Sequence, residues 1–352
     1  MRSIITAFLI ALVSACSTIK INSNSEAVPA GDMNRINEIY RIQSIVSKEV
    51  WPGFENAKFR FVMIGKKYQW AINVDPMPEY YKKIDVPKSF NSGITSVGVT
   101  EIYRNEIGQK LNEAPAVIYN SFSKENTDLH YNHSIYFVKT LEEFHRIGDQ
   151  QDAETWIHIS LHELFHTFQD QYVRYTPEFL NSTRLPIKKT LPDDVEHNKL
   201  LLPEIKLLAK AACSTSKKEM KELLKKSLQL RKKRWAYIHK KYNISHEHWE
   251  RFESWAEGTA HYTEHQIMAR YPLFKNGTLL VDDPYYGKFN EYTKESPAQW
   301  CEQIASNQKR KYWYSLGFAY ALILDKLIPD WKQDKFDNEL FFDAFFKRLN
   351  VL

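Results

Sequence analysis

The sequence is poor in glycine and cysteine and has no long apolar run. Eleven of its 352 residues are glycine, roughly 3% against an average near 7%, and this scarcity favours helices over turn-rich β architecture. No stretch reaches the roughly 18 consecutive apolar residues of a membrane-spanning helix, and no internal repeat is present. These absences exclude a protein that crosses a membrane as a mature helix and a repeat protein.

Neither sign of charge dominates the composition. The chain has 48 lysines and arginines against 43 aspartates and glutamates, a net charge of +5. This excess is too small to indicate a nucleic-acid partner without a concentrated basic patch. With 43% hydrophobic and 14% aromatic residues, the chain is neither disordered nor collagen-like. It is long enough for one large globular domain or two ordinary ones.

The first residues have the composition of an export signal. A positively charged start precedes an apolar core over residues 4–13, and a cysteine follows shortly afterwards. Residues 1–15 are therefore predicted to be a signal peptide. The segment that ends at Cys16 resembles the lipobox of bacterial lipoproteins, which implies cleavage before Cys16 and lipidation of its sulfur by acyl chains such as palmitate. A plain secretory signal that happens to contain a cysteine is the alternative.

The lipobox resemblance implies a location in the cell envelope. Residues 16–32 are predicted to be the lipidated cysteine and a flexible, polar tether. In a Gram-negative cell, Ser17 rather than aspartate after the lipid site implies the outer membrane, facing the periplasm. In such an oxidising compartment Cys213 and Cys301 can pair or remain two separate buried thiols, and we favour separate thiols.

The remaining sequence, residues 33–352, predicts one α+β domain in which strands come first and helices follow. Asp32 is predicted to cap the first helix, and Ser216 is predicted to cap the helix that starts near residue 217. Residues 59–64 and 68–74 are predicted to form a β-hairpin, and the other strand candidates are residues 96–103, 116–122 and 134–139. Residues 192–212 and 217–237 are predicted to form a pair of helices. Helical periodicity dominates from about residue 152. The domain thus divides into a strand-rich lobe (33–175), a helical insertion (190–240) and a helical lobe (245–352).

The helix predicted over residues 152–173 carries the motif His162-Glu163-Leu164-Phe165-His166. Spacing of four places both imidazoles on one helical face, where their ring nitrogens can bind one Zn²⁺ at about 2.0 to 2.1 Å. Glu163 lies about 100° away around the helix, from where it can act as the general base for a water molecule at the metal. The motif therefore predicts a zinc site with two histidine ligands and a base.

A second segment, ESWAEGTAHYTE at residues 253–264, offers a further metal ligand. It resembles the second active-site helix of the gluzincin metallopeptidases, in particular the Glu-Gly-x-Ala-x-Tyr pattern of the aminopeptidase-like branch. The resemblance implies that Glu257 is the third zinc ligand. His261 lies one turn later on the same helix, a position from which it can support the site. Under a thermolysin-like alignment, Glu253 binds the metal and Glu257 orients a histidine. Glu257 is preferred because four other residues fit the first alignment alone: Gly258, Ala260, Tyr262 and Glu264.

The resemblance also implies a zincin-like fold, with a mixed sheet over the active-site helix and a mostly helical C-terminal lobe. The sequence departs from the pattern in that Glu257 follows His166 by 91 positions, where the aminopeptidases have a short link. The helical insertion accounts for this spacing. In this family a downstream Tyr or His stabilises the developing oxyanion. Tyr314 is the candidate here, with Tyr312 behind it, and a packed aromatic is the alternative. Residues 134–139 are the candidate edge strand for an extended substrate.

Together these features predict a lipid-anchored, zinc-dependent hydrolase whose substrate is a peptide or protein. Two alternatives stay open. The same residues can serve the cleavage of a non-protein amide in the cell wall, or the chain is a non-catalytic envelope lipoprotein that keeps the scaffold for binding or support. Glu163 favours an enzyme, because a site that only binds has no need for a general base.

The other histidines and the basic residues have less specific interpretations. His158, one turn before His162, is predicted to be a supporting or partly solvated residue. His130, His133 and His265 are predicted to lie at the surface or to support the site. The basic run at residues 217–234 is predicted to be the solvated face of an amphipathic helix, with a patch that meets an anionic membrane surface as the alternative.

Overall fold

The computed structural model describes residues 27–87, 101–106, 116–124, 127–148, 151–170, 191–270, 279–287, 304, 311–334 and 340–352. Of residue 105, residues 116–124 and residues 127–134 it describes the backbone alone. The predicted signal peptide, the predicted lipid site at Cys16, most of the predicted tether and Cys301 lie outside the described residues.

The first helix, α1 (Ala30–Ile42), starts earlier than the sequence predicts. It follows Pro29 and continues through a π-helical turn into a further short helix that ends at Val50. Asp32 is therefore inside the helix and does not cap it. Its side chain is fully buried and pairs with Arg35 at 2.8 Å, so its carboxylate is committed to this ion pair. Residues 28–32 thus belong to the folded body and not to the predicted tether.

The later helices account for most of the second half of the chain, as predicted. They are α2 (Leu141–Arg146), α3 (Ala153–Gln169), α4 (Val195–Cys213), α5 (Lys217–Tyr242), α6 (Glu247–Arg270), α7 (Tyr312–Leu327) and α8 (Phe342–Arg348). No helix within the described ranges is both long and apolar enough to cross a membrane.

Six strands form one mixed sheet in the order β3-β4-β2-β1-β6-β5. The strands are β1 (Phe61–Ile64), β2 (Tyr68–Ile72), β3 (Lys82–Ile84), β4 (Ile102–Glu106), β5 (Ala116–Lys124) and β6 (Thr127–Lys139). β1 and β6 are parallel, and the other neighbouring strands are antiparallel. The predicted β1–β2 hairpin and the α+β class are confirmed, and β3 was not predicted.

β6 lies inside the sheet. Tyr136 is in register with Phe61 of β1 on one side and with Ile118 of β5 on the other. The prediction that residues 134–139 form an edge strand is therefore wrong, because both backbone edges of that strand are already hydrogen-bonded. The edges of the sheet that the described residues form are β3 and β5.

The helices cover one face of the sheet. Phe61, Met63, Tyr136 and Val138 point from β1 and β6 into the main core, which they share with the apolar residues of α3. The indole Nε1 of Trp156 donates to the carbonyl oxygen of Lys139 at 3.0 Å and joins α3 to the end of β6. The opposite face, including Val62, Ile64 and Phe137, packs against Val74 and Tyr81 in a smaller cluster. The sheet thereby fixes the position of α3.

α4 and α5 form the helical hairpin predicted for the insertion. Asp194 caps α4, since its carboxylate accepts from the backbone N–H groups of residues 196 and 197. Ser216 caps α5 by accepting from Glu219 N–H at 3.3 Å. Cys213 at the end of α4 is in a disulfide, so the expectation of two separate thiols fails for this cysteine. Its bonding partner lies outside the described residues.

The basic run on α5 is largely solvated, as predicted. Its lysines are exposed, whereas Arg231 and Arg234 are buried and hold ion pairs with carboxylates of other helices. Those two arginines therefore contribute to the interior and not to a basic surface.

α6 and α7 cross at a contact between two glycines. A β-carbon built on Gly258 of α6 would lie 2.3 Å from the Cα of Gly317 on α7. No side chain fits between the two backbones at this point, so glycine at both positions allows the helices to touch. The crossing sets the position of the first turn of α7 relative to α6.

Candidate metal centre

Two helices bring the three predicted metal ligands together. His162 and His166 project from α3, and Glu257 projects from α6. Asp152 caps α3, and its carboxylate accepts from Thr155 N–H at 2.7 Å. The apolar stripe of α3 is buried in the core, and the side chains of His162 and His166 are each 9% exposed. The side chain of Glu257 is 18% exposed, and its carboxylate lies opposite the two imidazoles, on the neighbouring helix.

The three donor atoms form a nearly equilateral triangle. The Nε2 atoms of His162 and His166 are 3.2 Å apart, and Oε2 of Glu257 lies 3.3 Å from the first and 3.5 Å from the second. A tetrahedral ion with bonds of about 2.1 Å requires its donor atoms to be roughly 3.4 Å apart. The residues therefore fit a tetrahedral cation that keeps a fourth position for another group.

Glu253, the alternative ligand, lies one turn before Glu257 on α6 and is 3% exposed. It belongs to none of the three groups of candidate ligands that the described residues form. Its negative charge helps to raise the pKa of the Tyr314 hydroxyl, so it lies close enough to influence the site. The geometry thus brings Glu257, and not Glu253, to the imidazole pair.

The other ring nitrogen of each imidazole is also held. Nδ1 of His162 lies 2.9 Å from Oε2 of Glu264, and Nδ1 of His166 lies 2.7 Å from Oε1 of Gln169. In a neutral ring, an N–H at Nδ1 donates to this oxygen and leaves a lone pair on Nε2, the atom that faces Glu257. Both rings are therefore fixed in the tautomer that a metal ligand needs.

Gln169 connects the two helices. Its amide Nε2 donates to the carbonyl oxygen of Ala256 at 3.0 Å and to Oγ1 of Thr259 at 2.7 Å. The same side chain thus orients His166 on α3 and contacts α6 on both sides of Glu257. Sequence reasoning missed this residue, although its position three residues after His166 puts it on the same helical face.

The electrostatics of the centre favour a bound cation. Burial lowers the pKa of His162, but the carboxylates of Glu264 and Glu257 outweigh burial and leave that pKa well above its ordinary value. Burial raises the pKa of Glu257, but His166 and His162 outweigh it and hold that pKa well below its ordinary value. Glu257 is therefore ionised, and the centre presents a negative charge to two imidazoles.

Tyr314 and Glu163 flank the triangle. The Tyr314 ring, on the first turn of α7, stacks on His162 with centroids 5.8 Å apart and an interplanar angle of 16°. Burial, and then the charge and hydrogen bond of Glu257, raise the pKa of the Tyr314 hydroxyl, so it stays protonated and can donate. Glu163 is partly exposed, and its charge acts on both His166 and Tyr314. Both predicted catalytic residues therefore border the site.

A second set of histidines surrounds Glu264. Its Oε1 lies 2.5 Å from Nδ1 of His261, 3.5 Å from Nε2 of His158 and 4.0 Å from Nε2 of His265. Burial lowers the pKa of His158 to about 4. The predicted supporting residue His261 thus acts on Glu264 and through it on His162. The role of Glu264 was missed, although it follows Glu257 by two helical turns on the same face.

The helical insertion holds α6 in place. Arg234 of α5 is fully buried and pairs with Glu204 of α4 at 2.8 Å and with Glu250 of α6 at 2.5 Å. Three further side chains contact the carboxylate of Glu250: Trp235, His246 and Tyr312. Tyr312 was expected behind Tyr314 in the site and instead belongs to this network. The insertion is thereby bonded to α6, the helix that carries Glu257.

Comparisons with known proteins add no assignment to this centre. No family model, no curated protein and no solved structure gives a match to the chain.

Proposed function

We propose that the chain is a zinc-dependent metallohydrolase of the gluzincin type, with a zincin-like fold and peptide bonds as its target. The observation that carries the proposal is the triangle of donor atoms of His162, His166 and Glu257, with sides of 3.2 to 3.5 Å. Two imidazoles and one carboxylate with an open fourth position are the ligand set of catalytic zinc sites. The mixed sheet packed on α3 supports the fold part of the proposal.

The chain's own residues divide the chemistry among them. His162, His166 and Glu257 hold the ion, and Glu264 and Gln169 orient the two imidazoles. When bound, Zn²⁺ supplies a lowered pKa for a coordinated water and polarisation of the scissile carbonyl. Glu163 accepts the proton of the attacking water and passes it to the leaving amine.

Tyr314 has the second catalytic role in this proposal. Its hydroxyl keeps its proton at neutral pH, because burial and the neighbouring Glu257 raise its pKa. It donates a hydrogen bond to the oxyanion that develops on the substrate carbonyl. Loss of one such donor typically slows an enzyme by about 10²- to 10³-fold.

The proposal includes a place in the cell. The apolar core at residues 4–13 and the lipobox-like segment before Cys16 support a lipid anchor in the cell envelope, on the outer membrane facing the periplasm in a Gram-negative host. The partners are then a peptide or protein substrate and the lipid bilayer. Nucleic acid is not among them.

The experiment uses the full chain and a Glu163→Gln variant. We expect about one tightly held zinc per chain in both proteins by elemental analysis, and hydrolysis of an unstructured protein by the wild type. Glu163→Gln should lower kcat/KM by about 10²- to 10⁴-fold, because general-base catalysis contributes that much. The exposed carboxylate of Glu196 provides the control Glu196→Gln, which should behave as wild type.

Three outcomes would contradict the proposal. A wild-type protein in which elemental analysis finds no zinc would contradict the proposed metal centre. Equal behaviour of wild type and Glu163→Gln would favour a binding or structural lipoprotein. Cleavage of cell-wall amides without cleavage of peptides would change the substrate class to that of a zinc amidase.

A further inference from the structure

A second cluster of metal-binding side chains lies next to the first. His158 on α3 and Glu264 and His265 on α6 direct three donor atoms at one another, all within 4.8 Å. Oε1 of Glu264 is 3.5 Å from Nε2 of His158 and 4.0 Å from Nε2 of His265. These separations are close to the roughly 3.4 Å that a tetrahedral ion requires. Small rotations of the three side chains would complete the arrangement.

His261 has a different role in this cluster. Its Nδ1 lies 2.5 Å from Oε1 of Glu264, which is a hydrogen-bond distance and too short for two ligands of one ion. The same reasoning applies to Nδ1 of His162, at 2.9 Å from Oε2 of Glu264. His261 and His162 therefore orient the carboxylate, and His158 and His265 face the space beside it.

The cluster has the burial and ligand chemistry of a transition-metal site. The side chains of His158, Glu264 and His265 are 15%, 7% and 10% exposed, so bulk water hydrates them little. The rings of His158 and His265 meet nearly edge-on, with centroids 5.3 Å apart and an interplanar angle of 85°. Two imidazoles and one carboxylate suit zinc, cobalt, nickel or copper, and suit magnesium or calcium poorly.

The geometry points to a second divalent metal site formed by His158, Glu264 and His265, separate from the site of His162, His166 and Glu257. Glu264 is common to the surroundings of both sites, since Oε2 faces His162 and Oε1 faces the second cluster. A cation at the second site draws electron density from Glu264. His162 then donates to a weaker acceptor and becomes a weaker ligand of the first cation. Occupation of the second site therefore lowers the affinity of the first.

The second site is expected to bind more weakly than the first. Its donor atoms are less evenly spaced, with separations of 3.5 and 4.0 Å, against 3.2 to 3.5 Å in the triangle. It must also share Glu264 with His261 and His162. Zinc should therefore fill the two sites in sequence as its concentration rises.

Equilibrium dialysis of the metal-stripped full chain against Zn²⁺, with elemental analysis, tests the proposal. Wild type should bind about two equivalents in two separate steps. His265→Gln and His158→Gln should each lose the weaker step and keep the tighter one, whereas His166→Gln should lose the tighter step and keep the weaker. The exposed His239 on α5 provides the control His239→Gln, which should bind as wild type.

Cobalt(II) titration, followed by visible absorption, provides a second readout that does not depend on enzymatic activity. Wild type should show two successive spectral changes, and His265→Gln should show one. A single equivalent in wild-type protein, or two equivalents in both His265→Gln and His158→Gln, would overturn the proposal. Absence of hydrolysis with two bound metals would leave this inference intact and contradict only the proposed function.

Discussion

Gly317 of α7 lies directly against the backbone of Ser254 on α6. A β-carbon on Gly317 would lie 1.8 Å from the Ser254 carbonyl oxygen. Tyr314 precedes this contact by one turn, and its ring is the one that stacks on His162. The close approach of the two backbones thus places the tyrosine beside the candidate metal centre.

Gly317→Ala should separate α6 from α7. The added methyl group would clash with main-chain atoms, which cannot rotate away, so we expect a loss of about 1 to 3 kcal/mol in the free energy of unfolding. Chemical denaturation measures it. Gly31→Ala on α1 is the control, because its β-carbon would first meet the end of the Arg35 side chain at 3.3 Å. An equal effect of both substitutions would contradict the role given to the crossing.

Gln169→Ala should weaken metal binding without unfolding the protein. The substitution removes the acceptor at 2.7 Å that fixes the ring of His166. Loss of such a supporting hydrogen bond costs about 10- to 100-fold in metal affinity. Competition with a chromogenic chelator measures this affinity, and the exposed Gln229 on α5 gives the control Gln229→Ala. Wild-type affinity in Gln169→Ala would show that the ring needs no such support.

Arg234→Met should strongly destabilise the protein. It would leave the carboxylates of Glu204 and Glu250 buried without their cation, and both are at most 1% exposed. Breaking a buried pair in this way costs about 3 to 5 kcal/mol. The neighbouring exposed residue gives the control Lys233→Met, for which we expect a change within about 0.5 kcal/mol. A similar thermal midpoint for the two variants would mean that the network contributes little.

Asp194 should make stability depend on pH in the acid range. Burial raises the pKa of its carboxyl, but hydrogen bonds from Tyr242, the backbone of residue 197 and Lys241 outweigh burial and hold the pKa well below its ordinary value of 3.8. A depressed folded-state pKa gives stability that is complete above the ordinary value and is lost as the pH falls through the folded-state value.

The substitution Asp194→Asn removes this titration. At neutral pH it should cost about 1 to 2 kcal/mol, because the hydrogen bonds to a charged acceptor are lost. The difference from wild type should shrink as the pH falls below about 4, as urea denaturation across pH would reveal. Glu196→Gln is the control. A difference that stays constant down to acid pH would exclude the charge as its cause.

Local periodicity was sufficient to predict the residues of α3 that face the centre. His162 and His166 share a face because they are four residues apart, and Glu163 is offset from them because it is adjacent to the first. The third candidate ligand came from a resemblance in the chain around Glu257. The capping residues Asp194 and Ser216 have similarly local causes; the Ser216 cap was predicted and the Asp194 cap was not.

Long-range packing determined what the sequence did not reveal. The position of β6 inside the sheet depends on parallel pairing with β1, which begins 66 positions earlier in the chain. Asp32 has a sequence position typical of a helix cap, but it lies inside α1 and its carboxylate pairs with the buried Arg35 of the same helix. Glu264 orients His162 only because α3 and α6 pack against each other. The residue pattern of a single helix does not predict which helix it will pack against.

The buried ion pair between Arg234 and Glu250 restricts how related sequences can change during evolution. The helical insertion lies between α3 and α6, the two helices that carry the candidate ligands. Its Arg234 is the counter-ion of Glu250 in the first turn of α6, so the insertion supports the position of α6 and does more than connect two helices. A related protein that lost the helical insertion would also lose Arg234. It would then need an uncharged residue in place of Glu250, or a basic side chain from another part of the fold to pair with Glu250. Deletion of the insertion and substitution of Glu250 should therefore occur together in related sequences.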